Sequence, residues 1–85
     1  MPIASQDEAS ILSGIAEVVR EHLDWRGPVT PEMRLVEDLN LDSIRLLTLA
    51  VEVENRFRVL LDEEDEARIE TVADLIRAVE AKLAG

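Results

Sequence analysis

Three segments of this chain repeat aliphatic residues every three or four positions, and none alternates them every second one, so the chain is committed to helices rather than strands. In the first, Ile11, Leu12, Ile15, Val18, Val19 and Leu23 form a wide apolar stripe. It follows Ser5-Gln6-Asp7-Glu8, which has the form of a capping box, and it carries Arg20 and His22 near its end, where positive charge suits the helix dipole. Trp25-Arg26-Gly27-Pro28 ends it. In the last, Thr71-Val72-Ala73-Asp74 is a second capping signature, followed by the stripe Val72, Leu75, Ile76, Val79 and Leu83.

The middle segment, Asp42 to Phe57, is helical with two apolar stripes instead of one. At about 100° per residue, Leu46, Leu49, Ala50, Val53 and Phe57 share one face, while Ile44, Leu47 and Val51 lie almost opposite. Arg45, Thr48, Glu52, Asn55 and Arg56 fill the arc between the stripes on one side. One stripe belongs to a core, and the other needs a reason to exist.

The connections are less regular. Thr30-Pro31-Glu32 reads as a cap with proline at the first helical position, giving a turn of helix within a long loop that Leu35 and Leu39 pin to the core. Asn40 tolerates a left-handed backbone and marks a sharp turn before the middle helix. Asp62 to Glu66 is five acids in a row, which permits a short helix or an irregular acidic turn and is expected to gather divalent ions loosely. With 85 residues the chain has room for one core, too little for most enzyme architectures. Its single Phe57, single Trp25 and lack of tyrosine leave aliphatic side chains to build that core. The expected fold is therefore all-α: a four-helix bundle of three main helices and one short one, with a long loop between the first two main helices. It forms a single domain over 1–85, with its core at about residues 5–83.

Charge narrows the partners. Nineteen acidic against nine basic residues give a net charge of -10, which repels nucleic acid and anionic membrane surfaces. A hydrophobic fraction of 47% nonetheless distinguishes the chain from a disordered acidic tail. No apolar run approaches a membrane span, and Met1 to Ser10 lacks an export signal. The absence of cysteine excludes disulfides, a thiolate metal site and a cysteine nucleophile, and makes the cytoplasm the expected home of a monomer. The starting Met1 and short ends favour a free-standing protein.

One histidine and no cysteine cannot build a zinc site, and the acidic run lacks the spacing and glycine of a calcium loop. His22 as a general base would need a nucleophile and an orienting carboxylate beside it and reads instead as a solvated helix-end histidine, and no glycine-flanked serine elbow exists, so no catalytic residue is expected. Ser43 is different. It follows Asp42 at the start of the doubly striped helix, where its hydroxyl would lie exposed beside free amides and a positive dipole end, a good place for a phosphate. Asp42 or Ser43 acting simply as a helix cap is the plain alternative. The adjoining stripe Ile44, Leu47 and Val51 favours the functional reading, because it leaves apolar surface beside that serine.

Here the chain resembles the acyl and peptidyl carrier proteins. Val36-Glu37-Asp38-Leu39-Asn40-Leu41-Asp42-Ser43-Ile44 is similar to the family's attachment motif, D-L-G-x-D-S-L, at the usual mid-chain position. The resemblance runs from about Ser10 to Leu83 and includes Thr30-Pro31, Glu52-Val53-Glu54-Asn55-Arg56-Phe57 and Ile69-Glu70-Thr71-Val72-Ala73-Asp74-Leu75. It implies that Ser43 receives 4'-phosphopantetheine from coenzyme A through a separate phosphopantetheinyl transferase, with Asp42 helping to hold the transferase's magnesium. The arm's thiol would then carry acyl or aminoacyl groups as thioesters, exchanged with loading, condensing and modifying enzymes. Ile44, Arg45, Leu47, Thr48, Val51 and Glu52 are the expected docking residues. Asn40 stands for the usual glycine and Ile44 for the usual leucine, both compatible replacements.

Arg45, Thr48 and Arg56 occupy positions that are commonly acidic in fatty-acid-synthesis carriers. This points to a specialised pathway making polyketides, nonribosomal peptides or modified lipids. With Glu52 and Glu54 against Arg45 and Arg56, the docking helix reads as locally neutral, with Arg45 selecting an acidic group on its partner. The rival is an unmodified acidic helical adaptor that binds a basic, apolar groove through Ile44, Leu47 and Val51.

Overall fold

The computed structural model describes residues 8–84, and among them the architecture is all-α. Helices α1 (Glu8–His22), α2 (Ser43–Phe57) and α4 (Val72–Ala84) are the main elements, and α3 (Glu63–Arg68) is the short one. The capping box expected at Ser5 to Glu8 lies mostly outside the described residues. Two contacts give the relation of α1 to α2: Arg56 pairs with Glu17 and His22 lies beside Glu52, so the helices run antiparallel. Ile11, Ile15 and Val19 of α1, Leu49 and Val53 of α2, and Val72, Leu75, Ile76 and Val79 of α4 form the buried centre. Leu35 and Leu39 of the loop are buried with them, as their spacing implies.

The long loop is held by backbone bonds to the start of α4. Leu35 N–H donates to Glu70 O at 3.0 Å, while Met33 O and Pro31 O accept from the Val72 and Ala73 amides at 2.9 Å each. These are first-turn amides with no acceptor inside their own helix, so the loop caps α4 as α4 fixes the loop. At Thr30 the expected turn closes once, with the Met33 amide donating to Thr30 O at 3.2 Å. A second hydrogen-bonded turn follows Arg34, whose carbonyl accepts from Asp38 and Leu39 while its own amide donates to the Asp38 carboxylate at 2.7 Å. Asn40 then takes φ 58°, the left-handed conformation expected of it.

Some side chains depart from the sequence pattern. Leu41, Val59 and Leu61 are buried although they lie in connections, and Leu83 is exposed because α4 runs past the end of the core. The acidic run forms α3, with Asp62 and Asp65 in a reciprocal capping box. Lys82 Nζ lies 3.0 Å from Asp65, so positive charge from α4 answers part of the acidic run, and no metal-binding cluster occurs among the described residues.

Gly14 faces Phe57 so closely that a Cβ there would stand 2.5 Å from the ring's Cζ. Alanine is about 1 kcal/mol better than glycine in a helix interior, but overpacking a core costs about 1–3 kcal/mol. Gly14→Ala should therefore lower the melting temperature in a thermal melt. A rise would show that the ring has room to move.

Asp74 accepts from the Glu70 and Thr71 amides at 3.0 and 3.1 Å, and the first of these bonds is the main cause that holds its carboxyl below the ordinary carboxylate range. The stability that Asp74 gives is present above its ordinary unfolded pKa, near 3.8, and is lost as pH falls through the lower folded value. Asp74→Asn should lower stability at neutral pH and flatten its decline in acid, read by denaturant midpoints from pH 7 to pH 2. An unchanged neutral midpoint would contradict this role.

Candidate functional site

The site is assembled at the N-terminus of α2. Asp42 has extended backbone and its Oδ1 accepts from the Arg45 amide at 2.8 Å, making it the helix N-cap. Its carbonyl takes the Leu46 amide at 2.8 Å. Ser43 is thus the first helical residue, with an exposed side chain and no side-chain base within hydrogen-bonding reach among the described residues. The amides of Ser43 and Ile44 have no acceptor there either, so free donors and the positive end of the helix dipole adjoin the hydroxyl. A phosphodiester on Ser43 would fit this setting.

Of the two candidate caps it is Asp42 that caps the helix, which leaves the Ser43 hydroxyl at the surface. Asp42 is itself exposed, and its second carboxylate oxygen faces no donor among the described residues. His22, at the far end of α1, has Nε2 3.4 Å from Glu52 and is committed to that contact.

The second stripe is at the surface. Ile44, Leu47 and Val51 are 75%, 61% and 42% exposed, so neither the loop nor α3 covers them. Arg45 is also exposed, and Thr48 Oγ1 donates back to the Ile44 carbonyl at 3.1 Å. Glu52, the remaining expected docking residue, is half-buried by its contact with His22 and is turned toward α1.

A cavity of about 390 Å³ adjoins Ser43 between α2 and the α3 region. Leu46 and Ala50, expected on the core face, are only half-buried and help to line it, together with Leu35, Leu61, Ile69 and Glu66. Sequence reasoning did not find this cavity, since no local signal says how closely α3 approaches α2. The alternation of buried Val59 and Leu61 around exposed Leu60 is the nearest hint.

A family model described as the phosphopantetheine attachment site matches residues 13–79. The meromycolate extension acyl carrier protein of Mycolicibacterium aurum is 36% identical over 78 residues, 91% of this chain and 78% of that one. Its Mycobacterium tuberculosis counterpart is 32% identical over 81 residues, 94% of this chain and 68% of that one. An acyl carrier protein of Myxococcus xanthus is 38% identical over 76 residues, 87% of this chain and 92% of its own. Among solved structures, a Mycobacterium tuberculosis chain provisionally described as an acyl carrier protein superposes with a TM-score of 0.68 at 32% identity, covering 87% of this chain and 95% of that one. The four-helix fold, the matched domain and these relatives agree, and the chain belongs to the phosphopantetheine-attachment family of acyl carrier proteins.

Proposed function

We propose that Ser43 is the residue that bears the 4'-phosphopantetheine arm, and that the carrier serves a specialised lipid-building pathway. The observation that carries the first part is the placement of Ser43: an exposed hydroxyl at the first position of α2, beside unengaged amides and a largely apolar cavity. The Ser43 oxygen attacks the phosphorus next to pantetheine in coenzyme A and gives up its proton to a base of the transferase, as the pyrophosphate linkage breaks and adenosine bisphosphate leaves. Asp42 keeps the helix start in place through Arg45 N and turns its free oxygen to the transferase's magnesium. The arm supplies the thiol that this cysteine-free chain lacks.

The chain itself catalyses nothing on this reading. It offers an address, with the stripe Ile44, Leu47 and Val51 meeting the transferase and then the loading, condensing and modifying enzymes, all in the cytoplasm where coenzyme A is drawn upon. The modified-lipid branch is supported by relatives named for meromycolate extension and by a docking helix that is not acidic. The unmodified adaptor has no comparable support, because the family match spans the attachment motif. Incubation with coenzyme A, magnesium and a broad-specificity transferase, followed by peptide mapping, should place the added group on the peptide containing Ser43. Its appearance on another serine would overturn the assignment.

A further inference from the structure

Four charges lie on α2, and the fold uses three of them. Glu52 lies 3.4 Å from His22, the Glu54 carboxylate accepts from the Leu61 amide at 2.8 Å, and Arg56 pairs with Glu17. The locally neutral docking helix expected from the sequence is therefore not what a partner meets. Arg45 alone is exposed and has no ion-pair partner among the described residues.

Its position is fixed by the helix. At about 100° per residue, Arg45 falls within about 20° of both Glu52 and Arg56, which reach α1, so it borders the apolar stripe on the α1 side. Ser43 and Ala50 lie on the other side of the stripe and line the cavity shared with Leu47 and Glu66. Glu66 is exposed and likewise has no ion-pair partner among the described residues. Ile44, Leu47 and Val51 thus run between a free cation on one border and a free anion on the other.

We infer that this surface takes a partner protein whose docking patch has the complementary order: a carboxylate on the α1 side, an apolar groove in the middle, and an amine or guanidinium on the α3 side. The apolar stripe supplies the buried contact, and the two border charges set orientation and reject patches of a single sign. A uniformly basic patch gains at Glu66 and loses at Arg45. The inference rests on the carrier reading, because the partner must come to the arm on Ser43.

The test uses as its probe a carrier-dependent malonyl transferase of known structure with a uniformly basic docking patch. Wild type, Arg45→Glu, Glu66→Lys and the double swap are each converted to the holo form, checked by intact mass, and loaded over a salt series. The swap keeps the net charge at -10, so only charge order changes. Glutamate at position 45 also suits the third residue of a helix capped by Asp42, so the fold tolerates it. At low salt Arg45→Glu should load on the order of tenfold faster than wild type and Glu66→Lys slower by a similar factor, with both differences fading as salt rises. The swap should return close to wild type. Equal rates for all four holo proteins would overturn the charge-ordered docking and leave the carrier reading intact, whereas failure of wild type to take the arm would overturn both.

Discussion

Phe57→Ala is expected to leave a largely unfolded or molten protein. The ring ends the core stripe of α2, is 8% exposed, and lies against Gly14 of α1. Truncating a buried phenylalanine costs about 3–5 kcal/mol, out of roughly 5–15 kcal/mol for a small domain. The residual cavity would open at the crossing of α1 and α2, where Gly14 offers no side chain to collapse into it. At about 4–8 °C per kcal/mol for a domain of this size, the melting temperature should fall by more than about 12 °C. Val51→Ala, less than two turns away on the outer face of the same helix, should stay within about 0.5 kcal/mol of wild type, since alanine favours the helix and little buried area is lost. Equal losses in the two variants, measured by thermal melts, would contradict the assignment of the faces.

That assignment was legible in the sequence because each signal is local. Leu49, Val53 and Phe57 repeat at helical spacing and are buried, while Ile44, Leu47 and Val51 repeat on the opposite arc and are not. Asn40 is one of the few residue types that accept φ 58°, and Asp42 is among the best N-caps, so the turn and helix start that present Ser43 follow from neighbours within five residues. The α4 capping signature was equally readable: Asp74 N–H donates to Thr71 Oγ1 at 3.1 Å, and the Asp74 carboxylate accepts the Thr71 amide in return.

What was not legible depends on contacts between segments distant in sequence. Nothing near Glu52 or Arg56 says that α1 brings His22 and Glu17 to them, so the charge of the docking face could not be counted correctly from α2 alone. Leu61 gave no periodic signal, and its burial beneath α2 follows from the Glu54 carboxylate holding its amide across seven residues. That the turn at Thr30 closes only once, Met33 N–H to Thr30 O, follows from tertiary bonds, because the Pro31 and Met33 carbonyls are taken by the first amides of α4. Gly14 carries no local signal of a packing role, and only the position of Phe57 gives it one.

The second large effect concerns the arm. Ser43→Ala removes one exposed oxygen and nothing from the core, and alanine is the better helix former, so the variant should fold as well as wild type or slightly better. Every acyl transfer that depends on the arm should nonetheless vanish, because no other residue of the chain has a thiol to take its place. Stability and function should thus separate completely at this position, the reverse of Phe57→Ala.

Intact mass spectrometry of wild type and Ser43→Ala, each incubated with coenzyme A, magnesium and a broad-specificity phosphopantetheinyl transferase, tests the central claim most directly. Wild type should gain one phosphopantetheinyl group and Ser43→Ala none, with both proteins showing the same helical melt. No gain on wild type, or a gain that survives Ser43→Ala, would contradict the attachment of the arm at the start of α2.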